Sequence, residues 1–230
     1  MRMEISEVLA YSHEVRLKFC EFWVFAQASG LTALSLIFYW AFHFHNGFTF
    51  SSLFNFHPVL MITGLVYFYG NGILVYRLFV KSSKEKVKAL HAVVTGCAFV
   101  LMVLGFTAIF KTKLCRGERH FYSIHSWMGA ITCSLFSVQF LMGFFAFLLP
   151  YASPKSRALL LSFHQFIGLI LSALIAISVI SGIMDYSSKA HKLSSEILVL
   201  DSVGVAVIIF FSVIGYLIVS SRYKRFEIPS

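Results

Sequence analysis

Four of the nine histidines lie inside stretches that are otherwise almost wholly apolar. They are His57, His91, His125 and His164, and the intervals between them are 34, 34 and 39 residues. Ionisable residues are rare and costly in membrane-spanning segments, where they usually mark a functional site. Neutral imidazole is also the most common metal ligand among side chains. The spacing therefore predicts a metal or proton site built from several helices.

Each of these histidines lies about one turn inside the N-terminal end of its apolar stretch. Successive membrane helices run in opposite directions, so the first and third histidines come to one face of the membrane. The second and fourth come to the other face. The sequence therefore predicts two pairs, His57 with His125 and His91 with His164.

Two imidazoles that face each other between helices suit the two axial positions of a haem iron. Cofactor sites in helical bundles are built from side chains on facing helices. An iron with both axial positions filled suits electron transfer rather than oxygen chemistry. The chain has no Cys-x-x-Cys-His, so covalent attachment is excluded. We expect two b-type haems per chain, about 20 Å apart along the normal of a hydrocarbon core about 30 Å thick.

Glycines near the histidines fit this interpretation but also fit another. Gly129 and Gly168 follow a histidine by four residues, and Gly64 follows His57 by seven, so each lies on a histidine's helix face. A flat ring lying against a helix needs missing side chains. Close helix packing in membranes also uses small residues, so the glycines alone decide nothing.

The elements that must position the histidines are six apolar blocks in a chain of 230 residues. The chain is 58% hydrophobic and only 13% charged, against about 25% charged in soluble domains. A membrane helix needs about 20 apolar residues, and lipid offers no partner for open backbone groups. We predict an all-α bundle of six transmembrane helices, with short cytosolic segments at 1–21 and 221–230 around a membrane domain at 22–220. The predicted spans are 22–42, 53–77, 89–110, 123–149, 159–183 and 197–220.

The net charge of +9 is explained by topology. With six spans, both termini share one side of the membrane with the second and fourth loops. That side carries 13 of the 19 basic residues, so both termini are predicted to be cytosolic. Nucleic-acid binding is accordingly a poor interpretation. The remaining histidines are predicted to be solvated in the tail and loops: His13, His43, His45, His120 and His191.

Several short motifs resemble the cytochrome b561 family of ascorbate-dependent transmembrane reductases. They are FNFHPVLM at 54–61, LVYRL at 74–78, YSIHSWMG at 122–129 and FLLP at 147–150. The resemblance covers about 50 to 225 and is closest to animal members that reduce ferric iron at the cell surface or in late endosomes and lysosomes. It implies six helices, often in a homodimer, with two b haems held by spans two to five. The non-cytosolic haem would lie on His57 and His125, and the cytosolic haem on His91 and His164.

The resemblance also implies that ascorbate donates electrons on the cytosolic side. Ascorbate is a monoanion at neutral pH, so basic groups near the cytosolic haem are the candidates for its site. These are Arg77, Lys86, Lys88 and Arg157. In the family, basic residues that match Arg77, Lys86 and Arg157 line this pocket. Anchoring of the helix ends at the membrane surface is the competing interpretation.

The acceptor on the other side would be monodehydroascorbate or a ferric chelate. Here the loop before the fourth span departs from the family pattern: Lys111 or Lys113 stands where a histidine is usual, and His120 where an asparagine is usual, while Tyr122 matches. With Arg119 nearby, the loop is more basic than usual and favours an anionic acceptor. The topology fits a plasma membrane, a late endosome or lysosome, or a secretory vesicle.

Two other functions remain open from the sequence. A haem-bearing membrane anchor that passes electrons between protein partners would need a docking surface or quinone pocket, for which the short loops leave little room. A proton-coupled transporter would use the histidines directly but would usually place acidic partners at depth, where Asp201 is the candidate. Zinc fits less well, because four-coordinate sites need more ligands than two histidines per face.

Overall fold

The computed structural model describes residues 5–49, 52–149, 151–188 and 194–224, with side chains from His13 onward. His191, predicted to be solvated, lies outside these ranges. Within the described residues, six helices are long and apolar enough to cross a membrane. This confirms the predicted all-α fold with six spans. The spans are His13–His45, Leu53–Leu78, Lys84–Arg116, Ile124–Leu148, Pro154–Ser188 and Ser195–Val219.

Several helices continue past the apolar blocks that predict them. The first helix is Ile5–His45, so it begins inside the segment predicted as a separate cytosolic tail. The third helix, Lys84–Arg116, starts five residues before its predicted span and ends six after it. Lys and Arg side chains can keep their stems in the apolar region while their charges reach the head groups. The apolar block therefore underestimates the helix wherever such residues flank it.

The second span changes its helical type along its length. A short 3-10 turn, Leu53–Asn55, leads into the α-helix Phe56–Met61. The π-helical segment Ile62–Phe68 follows, and Tyr69–Leu78 is α-helical again. Segments of π-helix occur often at functional sites, and this one separates the turn that carries His57 from the turn that faces His91.

The second and third spans pack closely in antiparallel fashion. A Cβ atom added to Gly64 would lie 2.8 Å from Cβ of Leu101 on the third helix. Gly64 therefore serves helix packing, and the alternative that it makes room for a flat ring is wrong for this position.

The first and sixth helices make the most extensive contact in the bundle. Their interface includes Trp40 and Phe210, both fully buried. A polar link joins the first helix to the second span: Gln27 Nε2 donates to Asn71 Oδ1 at 2.8 Å, and the Tyr67 hydroxyl donates to Gln27 Oε1 at 3.1 Å. These contacts hold the first helix against the second span, on the outside of the four spans that carry the histidines.

Local signals at the helix ends set the depth of the histidines. Ser123 caps the fourth helix, because its hydroxyl accepts from the Ser126 backbone N–H at 3.4 Å. Gly117 ends the third helix with a left-handed φ of 65°, which costs glycine nothing. Asn55 is buried and donates to the carbonyl oxygens of His45 and Gly47. These contacts fix the starts of the turns that carry His57 and His125.

Candidate functional site

The structure brings the four intramembrane histidines together as two pairs. The ring centroids of His57 and His125 are 6.1 Å apart, with an angle of 73° between the ring planes. The centroids of His91 and His164 are also 6.1 Å apart, with an angle of 74°. Two pairs of almost identical geometry therefore lie between the second to fifth spans.

Backbone carbonyl groups orient three of the four rings. Nδ1 of His57 donates to the Gly105 carbonyl at 3.0 Å, and Nδ1 of His91 donates to the Gly72 carbonyl at 2.8 Å. Nδ1 of His125 donates to the carbonyl of Ser178 at 2.9 Å. Since a carbonyl can only accept, the proton must be on Nδ1, and Nε2 is the nitrogen that a metal would take. Such outer hydrogen bonds are the usual support of a metal-binding histidine.

His164 is held differently. Its Nδ1 is buried and has no hydrogen-bond partner in the described part of the chain. Its backbone carbonyl instead accepts a 2.6 Å hydrogen bond from Nε2 of Gln139, a buried residue of the fourth span. Gln139 thus ties the turn of the fifth helix that carries His164 to the fourth helix.

The spacing within each pair suits one metal ion between two imidazoles. Metal–imidazole bonds are about 2 Å long. With the distance from each nitrogen to its ring centre added, two rings on one metal have centroids about 6 Å apart, and the structure has 6.1 Å. Within the described residues, no group of three or more His, Cys, Asp or Glu side chains could hold a metal ion. A metal with two protein ligands, such as a haem iron, fits each pair.

Two glycines on the facing helices leave room for the histidine rings. A Cβ atom on Gly182 would lie 2.8 Å from Cε1 of His125, and one on Gly143 would lie 3.0 Å from Cε1 of His164. Sequence analysis missed both, because it searched the helix of each histidine rather than its neighbour. The signal was available: in both contacts the two residue numbers add up to the same total, as the antiparallel register of the fourth and fifth spans requires.

A cavity of about 530 Å³ opens beside His57 and His125. We call it the outer cavity, because the predicted topology places it on the non-cytosolic side. Its volume is typical of small-molecule and cofactor sites. Gly129 lines it, and a Cβ atom there would meet no described atom within 4 Å, which suits a ring against this helix. Gly168 instead faces Gln139 and Tyr69. The charged or titratable lining residues other than the histidine pair are His45, Lys113, Arg116, Glu118, His120, Cys133, Asp185 and Tyr186.

Of His120, Arg119 and Tyr122, which were predicted to bind the non-cytosolic acceptor, His120 alone lines this cavity, together with Lys113 from the same loop prediction. The His120 ring stacks on Phe110 with a centroid distance of 4.4 Å and an angle of 20°. Arg119 is exposed, and its carbonyl accepts a 3.5 Å hydrogen bond from Lys113 Nζ. Tyr122 is 75% exposed. The basic lining therefore comes more from the end of the third helix than from the loop that follows it.

The residues predicted for ascorbate lie at the opposite helix ends. Lys86 is exposed in the first turn of the third helix, while Lys88 and Arg157 are half-buried. No hydrogen bond or ion pair joins these side chains to one another or to Arg77 in the described structure. The guanidinium of Arg77 donates to the Ile218 carbonyl on the sixth helix, so part of its role is to tie two helix ends together.

A buried acidic cluster beside the outer cavity was missed by sequence analysis. Glu196, 6% exposed, accepts three hydrogen bonds at Oε1: from Trp40 Nε1 at 3.0 Å, the Tyr186 hydroxyl at 2.6 Å and His45 Nε2 at 2.9 Å. The prediction that His45 is solvated is wrong, because it ends the first helix and turns inward. His13 and His43 are exposed as predicted. Glu196 escaped notice because the predicted span began one residue after it, whereas the helix begins at Ser194.

Six membrane-length helices that enclose two facing histidine pairs define a membrane cytochrome of the b type. The family profile of eukaryotic cytochrome b561 matches residues 56–190, which is more than half of the chain. This chain belongs to the cytochrome b561 family.

Curated relatives match most of the chain. The human lysosomal membrane ascorbate-dependent ferrireductase CYB561A3 is 40% identical over 202 residues, which cover 82% of this chain and 84% of the relative. The mouse plasma membrane ascorbate-dependent reductase CYBRD1 is 30% identical over 207 residues, covering 85% and 71%. Transmembrane ascorbate ferrireductase 2 of Arabidopsis thaliana is 31% identical over 199 residues, covering 81% and 86%.

Proposed function

We propose that this integral membrane protein carries electrons from cytosolic ascorbate to a ferric chelate or monodehydroascorbate on the other side of the membrane. The observation that carries the proposal is the presence of two histidine pairs of matching geometry within one bundle. The names of the relatives, ascorbate-dependent ferrireductases and reductases, support the donor and the ferric acceptor. Those names also favour an oxidoreductase over a transporter.

Each pair would hold one haem b, giving two per chain. When bound, haem supplies a centre that gains and loses one electron. His91 and Gly105, the contact of His57, are 14 residues apart on the third helix, or about 21 Å at 1.5 Å per residue. The pairs thus lie at different depths within a core about 30 Å thick.

The chain's own residues orient the sites and fill the region between them with buried aromatic side chains. Tyr69 and Phe136 are fully buried, and their rings meet edge to face at 5.3 Å. Phe99 stacks on Phe140 at 4.8 Å in the same region. The Tyr69 hydroxyl donates to the Gly168 carbonyl at 2.6 Å, so this polar atom is satisfied inside the bundle. Aromatic packing therefore fills this part of the bundle between the two sites.

The donor site would lie at the helix ends near His91 and His164. Arg77, Lys86, Lys88 and Arg157 would attract the ascorbate anion there. This assignment depends on family resemblance and on the predicted cytosolic position of both termini. Arg77 also anchors the sixth helix, so its substitution would disturb packing as well as charge.

The acceptor site would be the outer cavity. His120 would face the acceptor, with the exposed Arg119 and Tyr122 close to it in the chain, and Lys113 and Arg116 add positive charge to the lining. This charge supports an anionic acceptor such as a ferric carboxylate chelate or the ascorbyl radical. We further propose a homodimer, on family resemblance alone, in a plasma membrane, late endosomal or lysosomal membrane, or secretory vesicle.

Haem content tests the proposal most directly. We expect a pyridine haemochrome assay of purified protein to give about two haems per chain, and ascorbate to reduce them. Substitution of His125 by Leu should lower the content to about one. A reproducible content of one in intact wild-type protein would contradict the two-site proposal. Failure of ascorbate to reduce haem that dithionite reduces would contradict the donor.

A further inference from the structure

The acidic cluster beside the outer cavity joins the ends of three helices. His45 ends the first helix, Tyr186 lies near the end of the fifth, and Glu196 lies in the first turns of the sixth. The Tyr186 hydroxyl lies 2.9 Å from His45 Nε2 and 2.6 Å from Glu196 Oε1, so the three groups are mutually in hydrogen-bond contact. Protons can therefore redistribute within the cluster without movement of a helix.

The cluster connects buried protein to the cavity that holds the outer histidine pair. Glu196 is buried, whereas Trp40, His45 and Tyr186 line the outer cavity together with His57 and His125. A buried carboxylate is tolerated only when it is paired or well hydrogen-bonded. Of the three donors to Glu196 Oε1, His45 alone can carry a positive charge. Addition of one proton to the pair of His45 and Glu196 therefore changes the charge of the three-residue cluster from −1 to zero.

Other charged groups that line the outer cavity come from three parts of the chain. Lys113 and Arg116 come from the third helix, Glu118 and His120 from the loop after it, and Asp185 from the fifth helix. Arg116 lies over Phe54, with its guanidinium carbon 5.9 Å from the ring centroid, and Phe54 stacks on Tyr186 with a centroid distance of 5.9 Å. Phe54 therefore contacts both the Arg116 guanidinium and the Tyr186 ring.

An electron that arrives at the outer histidine pair adds negative charge to a poorly solvated region. This raises the proton affinity of nearby titratable groups, most strongly where water does not screen the interaction. We propose that Glu196, Tyr186 and His45 form a proton site coupled to electron transfer at the outer histidine pair. The inference depends on the proposed function, because it requires a redox centre on that pair.

The coupled step balances in electrons and protons. One electron enters the outer site and one proton enters the cluster from the outer solution through the cavity. When the acceptor is monodehydroascorbate, it takes one electron and one proton and leaves as the ascorbate monoanion. When the acceptor is a ferric chelate, it takes the electron alone, iron(III) becomes iron(II), and the proton returns to the outer solution.

Equilibrium redox titration of the purified protein tests the coupling without ascorbate or any acceptor. The outer haem is identified as the spectral component that His125→Leu removes. In wild type, we expect its reduction equilibrium to change up to tenfold per pH unit, which is 59 mV for one electron. Glu196→Gln should flatten this slope, whereas Asp201→Asn, an exposed acid on the same helix, should preserve it. A wild-type potential independent of pH, or a slope unchanged in Glu196→Gln, would overturn the proposal.

A second measurement covers the possibility that Glu196→Gln fails to fold. Infrared difference spectra of wild type on reduction of the outer haem should show a change in the Glu196 stretching bands: a carboxyl band if the proton goes to Glu196, or a shifted carboxylate band if it goes to His45. Tyr186→Phe removes one donor to Glu196 and should move these bands. No change in either Glu196 band in wild type, or a change unaffected by Tyr186→Phe, would contradict the proton site. Protein that binds two haems and is reduced by ascorbate but shows neither effect retains the proposed function and loses only this inference.

Discussion

At the scale of single residues, glycine at one position decides whether a histidine ring can occupy its place. We expect Gly182→Ala to lower the haem content from about two towards one, because the added Cβ would lie 2.8 Å from the His125 ring. Overpacking of this kind typically costs about 1–3 kcal/mol. The haemochrome assay and loss of the outer spectral component measure the effect.

The matched control is Gly215→Ala on the sixth helix, where an added Cβ meets no described atom within 4 Å. That variant should keep both haems. Equal haem loss in both variants would show that glycine serves helix flexibility in general, and full retention in Gly182→Ala would show that the ring can move aside.

Charge at Lys86 should act on the rate of reduction rather than on haem binding. Lys86→Ala removes one exposed positive charge, and one charge at close range is worth about 1 kcal/mol in water. We expect reduction by ascorbate to slow about fivefold in stopped-flow measurements, with full reduction by dithionite.

Lys81→Ala removes an exposed charge from the preceding loop and should leave the rate almost unchanged. If both variants slow equally, Lys86 contributes only to the general surface potential. An unchanged rate in Lys86→Ala would remove this residue from the ascorbate site.

The residues that could be predicted from sequence are those whose chemistry conflicts with their surroundings. A histidine within an apolar stretch is conspicuous, and all four of the paired histidines were found in this way. Glu196 and His45 lie at helix ends, where polar residues are expected, so their types carry no signal. Their meeting depends on how the first, fifth and sixth helices end beside one another, which is a tertiary property.

At the scale of helices, polar contacts inside the membrane hold the first helix against the second span. The relevant group is Gln27 with Tyr67 and Asn71. Interhelical hydrogen bonds in membranes contribute about 0.6–2 kcal/mol. We expect Gln27→Leu to lower the thermal unfolding midpoint in detergent by a few degrees, while both haems remain bound.

Gln165→Leu makes the same chemical change at an exposed position of the fifth helix and should leave the unfolding midpoint nearly unchanged. A Gln27→Leu variant as stable as wild type would show that apolar packing alone holds the first helix. The existence of all six helices could be predicted from apolar length, but the π-helical segment Ile62–Phe68 could not, because an apolar run does not distinguish α-helical from π-helical hydrogen bonding.

At the scale of the whole molecule, alternating helix direction generates the two pairs. The antiparallel path of spans two to five places every second histidine at the same end, and the structure brings together the same partners that this rule predicts. The pairing could be predicted because it depends on helix order and polarity alone. The shape and lining of the outer cavity could not, since they depend on side chains from every helix end around it.

The last prediction separates the two ends of the molecule. His125→Leu removes one ring from the outer pair and leaves His91 and His164 intact, so cytosolic ascorbate should still reduce the remaining haem. Electrons should fail to cross a sealed vesicle to an external ferric chelate, because the outer site is lost. His164→Leu should show the converse, with loss of rapid reduction by ascorbate and retention of the outer haem.

Haem content, reduction by internal ascorbate and reduction of an external ferric chelate are measured on the same vesicles for both variants. The two variants control each other, since each removes one ring of an equivalent pair and replaces it with an apolar side chain that membrane helices tolerate. If His125→Leu abolished reduction by ascorbate while the outer haem remained, the orientation in the membrane would be the reverse of the one proposed. If each variant lost both haems, the two sites would be interdependent, and the electron path would have to be established with Gly182→Ala, which disturbs His125 without removing it.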